Sequence, residues 1–291
     1  MTVVHVPSRA VDAVDLLADL HAQRKKALVV GGGTIVIPQL GRNELRADHV
    51  IDLWGAGLGR IERLPGLLRI GAQVTYQQLL DDQSVRGSVP LLSLLCAGVT
   101  GGVQLRSQGT LAGSACAARP FSDLPSALIA LGAIVRVRGV DGVRSIAYDD
   151  FVRDAEQTVL GPADVVETLD VPILDDGHFA GHRKVKIAEG SWPIVTVSAF
   201  RTRRRVVVGI GGVLRRPIRI EAALEDPVRS TDAVLDQLAD SLRLADASAS
   251  WNDVLAPAWY RRQVAPAVVR GVLEVLGEGR HAHPKEETWH R

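Results

Sequence analysis

The sequence predicts an α+β fold, on three observations. Asp141-Gly142 separates two runs that alternate apolar and polar residues, 133–138 and 143–148, which is the pattern of a tight hairpin. Residues 194–200 and 206–213 alternate in the same way across an arginine-rich connection. Helical periodicity is clearest at 264–276, where Val264, Val268, Val272, Leu273 and Leu276 share one face. The elements fall into a larger α+β group and a smaller group of strands followed by helices. This divides the chain into 1–172, with subdomains at about 1–55 and 56–172, then 173–280 and a polar tail, 281–291.

Taken in order, 3–6 is a strand. Ser8 suits the cap of a helix to Ala22 that turns Val11, Val14, Leu17 and Ala18 inward. Residues 25–30 form a strand that runs into Gly31-Gly32-Gly33-Thr34, and Pro38 argues against a long helix there. Buried strands follow at 49–53 and 67–72, a helix at 74–80 capped by Thr75, and another over 90–97. The stretch 109–114 is a run of small residues and reads as a loop with free backbone amides. Ser122 or Asp123 caps the next helix, 124–131, which has Pro125 in its first turn and Gly132 as its stop. Turns at 161–162 and 174–177 flank a strand, 165–171. Helices at 232–242 and 264–276 complete the chain, the last ended by Gly277.

Composition narrows the function. A 46% hydrophobic content over 291 residues supports a sizeable core. A net charge of +1 gives no field toward nucleic acid or an anionic membrane, and 4% aromatics are too few for a base-stacking surface. Two cysteines, Cys96 and Cys116, exclude an internal iron–sulfur cluster or a cysteine-rich zinc site. They also argue against a disulfide framework and point to a reducing cytoplasm. The first residues lack the pattern of a secretory leader, and no run of about 18 apolar residues predicts a membrane span. His5, His21, His49, His178 and His182 have no metal-ligand spacing.

Two glycine-bearing turns, 31–34 and 109–114, are candidate anion cradles. Gly31 and Gly33 fit the start of a dinucleotide fingerprint with Asp52 downstream, but its third glycine position is Val36. No Walker lysine follows either turn. Cys96 reads as inert core, Trp192 and Trp251 as packing anchors, 201–205 as a solvated hairpin tip, and the charges of 183–189 as a solvated strand.

The ordered set of motifs resembles the FAD-binding medium subunit of the molybdenum hydroxylases, the xanthine dehydrogenase and aerobic carbon monoxide dehydrogenase family. Gly31-Gly32-Gly33-Thr34-Ile35-Val36-Ile37-Pro38 is similar to the family's A-G-G-x-S-L-I-P. Val50-Ile51-Asp52-Leu53 resembles L-I-D-I, and Leu67-Leu68-Arg69-Ile70-Gly71-Ala72 with Thr75 resembles G-L-R-I-G-A-x-x-T. The segment from Gln104 to Ser114 resembles Q-V-R-N-x-G-T-I-G-G-S; Ser122-Asp123-Leu124-Pro125, Leu131-Gly132-Ala133 and Tyr260-Arg261-Arg262 continue the match.

The resemblance implies a p-cresol methylhydroxylase-type FAD-binding domain, with the FAD pyrophosphate held between the two turns. Its site residues are Gly31, Gly32, Gly33, Thr34 and Ile35 on one side and Thr110, Leu111, Ala112, Gly113 and Ser114 on the other. Asp123 accepts hydrogen bonds from cofactor hydroxyls, and Lys184 is a candidate flavin contact. No catalytic acid or base and no metal is implied for this chain. The molybdenum cofactor and 2Fe–2S clusters belong to a large and a small partner subunit, in a dimer of heterotrimers. A stand-alone flavin oxidoreductase and a degenerate scaffold are the alternatives. Ala112, Ser107, Ala117 and Arg119 depart from the family pattern. Ala112 is tolerable only at negative φ, Ala117 loses a side-chain contact, and Arg119 either meets the pyrophosphate or faces solvent.

Overall fold

The structure is a computed structural model that describes residues 2–174, 177–224 and 227–281. The first sheet is parallel, in the order β1-β3-β2. It consists of β1 (Val3–His5), β2 (Ala27–Val30) and β3 (His49–Asp52), with α1 (Ala10–Ala22) and α2 (Val36–Gly41) between the strands. The inward face of α1 is Ala13, Val14, Leu17 and Leu20, against Ile51 and Leu53. Ser8 does not cap it. Its hydroxyl bonds the Asp12 carboxylate, and Arg9 occupies the cap position. Pro38 lies inside α2, which stops after six residues.

The second sheet is antiparallel, in the order β4-β5-β10-β6-β7. It starts with β4 (Ile61–Leu64) and β5 (Leu67–Gly71). Six helices follow: α3 (Tyr76–Asp81), α4 (Gln83–Ser88), α5 (Pro90–Ala97), α6 (Gly102–Gln108), α7 (Leu111–Ala117) and α8 (Leu124–Leu131). The chain returns through β6 (Ile134–Gly139), β7 (Gly142–Ala147), α9 (Tyr148–Phe151), β8 (Val152–Asp154), β9 (Gln157–Thr158) and β10 (Val165–Pro172). Thr75 caps α3 in a full capping box with Gln78. Leu91, Leu92, Leu95, Leu111 and Leu128 bury themselves against Leu68, Ile70, Val135 and Leu169.

The expected loop at 109–114 is corrected here: its residues mostly begin a helix. Thr110 caps α7 by accepting the Gly113 N–H at 3.0 Å. The alanines among the small residues are strong helix formers, so compactness of side chain did not mean loop. Ala112 sits in this helix and is absent from the positive-φ residues.

The third sheet runs in chain order as β11 (Phe179–Lys186), β12 (Pro193–Arg201), β13 (Arg205–Gly211) and β14 (Ile218–Ala223). On one face α10 (Pro227–Leu244) and α11 (Ala258–Gly277) close a core of Val197, Val208, Val269, Val272 and Leu276. On the other face α8 lies directly on the strands. A Cβ at Gly209 would stand 1.9 Å from the Ser126 carbonyl oxygen, so only glycine lets the helix come this close. Arg201 is not merely solvated at the hairpin tip, because it donates to the last carbonyls of α11 at Leu276 and Gly277. The expected turn at 174–177 falls partly, and the tail 281–291 almost wholly, outside the described residues.

Candidate functional site

β2 delivers the chain into Gly31–Gly33, and Gly33 takes φ +70°, which turns the backbone into α2. Among the described residues, the N–H groups of Gly32, Gly33 and Thr34 donate to no protein carbonyl. The second turn is stitched to the start of α3: Tyr76 N–H donates to the Gly109 carbonyl at 3.0 Å, and Leu111 N–H to that of Val74 at 3.2 Å. The two turns are adjacent. A Cβ at Gly32 would fall 1.6 Å from the Gln108 carbonyl oxygen, and one at Gly31 2.9 Å from Thr110 Oγ1.

The turns therefore touch at their backs and open together onto one cleft of about 490 Å³, lined by Gly31, Gly32, Gly33, Thr34 and Ile35 and by Thr110, Ala112, Gly113 and Ser114. The turns are thus in contact with each other, not separate. The expectation of free amides throughout 110–114 is corrected as well. The Leu111 N–H is taken by Val74, that of Gly113 by Thr110 Oγ1 and that of Ser114 by the Thr110 carbonyl. Leu111 itself is fully buried and lines neither cavity. Ala112, second in the helix, has no carbonyl within the helix to meet its N–H.

A second cavity, about 320 Å³, adjoins the first and shares Thr34, Ile35, Ser114, Ala117 and Arg119 with it. Its other walls include Tyr76, Asp123 and Trp192. Burial pushes the Tyr76 phenol well above its ordinary range, against a hydrogen bond to Ser114 that lowers it, so it stays neutral. Ala117 presents only its methyl group to the space. Arg119 does not face solvent; its side chain is 19% exposed, pairs with Glu156 at 3.2 Å and lies over the Phe121 ring. Trp192 packs edge-on against Phe121 while lining the cavity, so it is more than an anchor.

Asp123 stands at the start of α8, in helical φ/ψ and with no side-chain cap bond, which removes the helix-cap reading. Its carboxylate is nearly buried and meets Lys184 Nζ at 3.0 and 3.2 Å and His182 Nε2 at 3.3 Å. Burial alone raises its pKa. The His182 hydrogen bond and the charge of Lys184 outweigh that and hold the carboxyl below its ordinary value. Lys184 is 7% exposed and also donates to the Gly98 carbonyl, so the solvated-strand reading fails for it. It lines neither cavity and acts on them through Asp123. Lys186 bonds the Glu189 carbonyl and also lines neither.

His182 was read only as a histidine without metal-ligand spacing, and Ser126 and Ser198 went unread, yet all three are completely buried around Asp123. The available signal was strand periodicity: His182 and Lys184 are two apart on β11 and so face one side. Cys116 borders the larger cleft, and burial pushes its thiol up to about 12, which leaves it unreactive. Among the described residues no three His, Cys, Asp or Glu side chains gather to hold a metal, and no helix is long and apolar enough to cross a membrane.

The arrangement fits a flavin dinucleotide. Two joined cavities offer unpaired amides beside glycines for a diphosphate and an ionised carboxylate for hydroxyl donors. Gln73, 5% exposed with both amide atoms unpaired, lies 3.8 Å from the place a Gly31 Cβ would take, so polar capacity is left over behind the turn.

Comparison with known proteins gives the same answer. The aldehyde oxidoreductase FAD-binding subunit PaoB of Escherichia coli (strain K12) is 30% identical over 275 residues, covering 76% of this chain and 86% of that one. The carbon monoxide dehydrogenase medium chain of Afipia carboxidovorans is 27% identical, covering 93% and 94%. A solved structure of carbon monoxide dehydrogenase from Hydrogenophaga pseudoflava superposes with a TM-score of 0.85 at 21% identity over 96% of this chain and 98% of that one, a likeness of fold. The FAD-binding domain of molybdopterin dehydrogenases matches residues 2–174, which is the part that carries both glycine turns and Asp123, and the chain belongs to that family as an FAD-dependent oxidoreductase subunit.

Proposed function

We propose that this chain is the electron-transfer subunit of a molybdenum hydroxylase-type dehydrogenase. It holds one FAD non-covalently, receives electrons from the 2Fe–2S clusters of a small partner subunit served by a large molybdenum-binding subunit, and delivers them to an external acceptor. The observation that supports this most is the convergence of both glycine turns and Asp123 on two adjoining cavities. When bound, FAD supplies the redox chemistry.

The chain binds and orients. The amides of Gly32, Gly33 and Thr34 would hold the diphosphate, with Gly31, Ile35, Thr110 and Ala112 shaping the cleft around it. Gly113 leaves room where a side chain would intrude. Ser114 and the Asp123 carboxylate accept from cofactor hydroxyls, and Lys184 holds Asp123 in place. Leu111 supports the turn from below and touches nothing in the cleft. The assembly assigned is a dimer of heterotrimers in the cytoplasm; the names of the relatives as medium chains and subunits support the presence of partner subunits, and two free thiols here support a reducing compartment.

Affinity purification of the tagged chain from its native cell tests this. Two partner polypeptides carrying molybdenum and iron, together with flavin absorbance, are expected. A yellow chain that turns over substrate alone would instead identify a stand-alone flavin oxidoreductase. A colourless chain that takes up no added FAD would identify a scaffold.

A further inference from the structure

Four buried groups form a closed hydrogen-bonded ring behind the smaller cavity, and its protons can be counted. Ser126 Oγ lies 2.9 Å from the Asp123 main-chain carbonyl, which can only accept, so the one hydroxyl proton of Ser126 goes there. Ser126 Oγ also lies 2.8 Å from Ser198 Oγ; with its own proton engaged, it accepts, and Ser198 donates. Ser198 Oγ is in turn 2.8 Å from His182 Nδ1. The single proton of Ser198 already points to Ser126, so Nδ1 must carry the hydrogen of this bond. The other ring nitrogen, Nε2, faces Asp123 Oδ1 at 3.3 Å. That carboxylate is ionised beside Lys184 and held below its ordinary pKa, so Nε2 donates as well.

We propose that His182 is a buried imidazolium, a positioning residue that fixes the Asp123 carboxylate at the cavity wall and leaves the Asp123–His182–Lys184 cluster with one excess positive charge. All four hydrogen bonds of the ring form only in this state; a neutral imidazole supplies one proton too few, so one of the four buried contacts is left lone pair to lone pair. His182 and Ser198 are fully buried, so water cannot repair such a mismatch. The remaining titratable groups near the cluster do not cancel the charge. Burial keeps the Tyr76 phenol and the Cys96 thiol neutral, and the Arg183 guanidinium on the opposite face of β11 lies against Gly271 of α11. The excess charge rests behind the cavity wall, where it favours a ligand that is anionic or gains negative charge on reduction. This last step rests on the FAD reading; the proton count does not.

Nitrogen-15 NMR of the histidine-labelled full chain without FAD tests the count. The His182 signals, identified by their loss in His182→Gln, are expected to show both ring nitrogens protonated at neutral pH. A neutral tautomer would overturn the proposal. In Ser126→Ala, Ser198 is free to donate to Nδ1, so the second proton of His182 is expected to leave at lower pH than in the unaltered chain; an unchanged titration would also overturn it. With FAD bound, His182→Gln, which keeps a donor for Asp123 without the charge, is expected to lower the midpoint potential of the flavin. An unchanged potential would remove the link to the cofactor. If the unaltered chain took up no FAD, the FAD reading would fall while the NMR result still decided the proton count.

Discussion

Lys184 Nζ sits 3.0 Å and 3.2 Å from the two carboxylate oxygens of Asp123, although 61 residues separate them in the chain. Both side chains are 7% exposed, so neither charge has water to fall back on. Breaking a buried pair from one side typically costs about 3–5 kcal/mol; with Lys184 gone Asp123 still has His182, so the lower end applies, and the Gly98 carbonyl loses its donor as well. Lys184→Met is therefore expected to lower the urea midpoint sharply. Asp123→Asn in the same chain is expected to recover part of the loss. A single variant as stable as the original would show that the pair holds nothing together.

Removing the carboxylate should also be felt by the cofactor. Asp123→Ala leaves hydroxyl donors of FAD without their acceptor, an expected weakening of about 1–3 kcal/mol in a fluorescence titration. Equal affinity in both proteins would confine Asp123 to a structural role.

The same carboxylate sets an acid limit. Burial alone would raise its pKa, but His182 and Lys184 prevail and lower it. A group whose folded-state pKa lies below its unfolded value of about 3.9 contributes stability above that value. The contribution is lost as pH falls through the lower, folded value. Thermal unfolding followed from neutral pH downward should thus show an acid loss that Asp123→Asn lacks. Parallel profiles for the two proteins would contradict the assignment.

Two glycines of the cleft should fail in different ways. A Cβ at Gly32 meets a backbone oxygen at 1.6 Å, so Gly32→Ala must part the two turns, at about 1–3 kcal/mol or more of stability. Gly113 is exposed, and its closest contact would be the Thr110 hydroxyl at 2.8 Å. Gly113→Trp should keep the fold but fill the cleft, with FAD affinity down about tenfold or more, roughly 1.4 kcal/mol. Full FAD content in Gly113→Trp would show that the diphosphate lies elsewhere.

Local chemistry explains which elements were readable. The hairpin at Asp141-Gly142 and the Thr75 cap act within a few residues; Thr75 stands where the sequence places it, and the hairpin forms with its turn one residue earlier, at Val140-Asp141, and Gly142 opening β7. The glycine turns were legible for the same reason. Their side-by-side packing was not, because it depends on Gln108 reaching Gly32 across the fold. His182 was passed over for a like reason: its partners are Ser198, set by the register of β11 on β12, and Asp123, set by the seating of α8 on that sheet. The strand β11 was read only in part, as a solvated run of charges from 183, since charges and a glycine interrupt its alternation. Asp123 looked like a cap because Ser-Asp-Leu-Pro is a good helix start; tertiary pairing drew its side chain away.

Arg261 gives a test of the opposite kind, a strong residue with no part in the cleft. It is fully buried at the start of α11. Its guanidinium donates to the carbonyls of Ala256 at 3.1 Å and Gly212 at 3.0 Å, to that of Ile194, and to the Asp253 carboxylate. One side chain thereby ties α11 to β12 and to the residue that follows β13. A lysine cannot reproduce this planar fork of donors. Arg261→Lys is therefore expected to destabilise the chain, and Arg261→Met more, toward about 3–5 kcal/mol, because Asp253 loses its charge partner and three buried carbonyls lose their donor. In the fraction that remains folded, FAD affinity should match the original, since Arg261 lines neither cavity. A selective loss of FAD at unchanged stability would mean that the third sheet transmits its packing to the cofactor site.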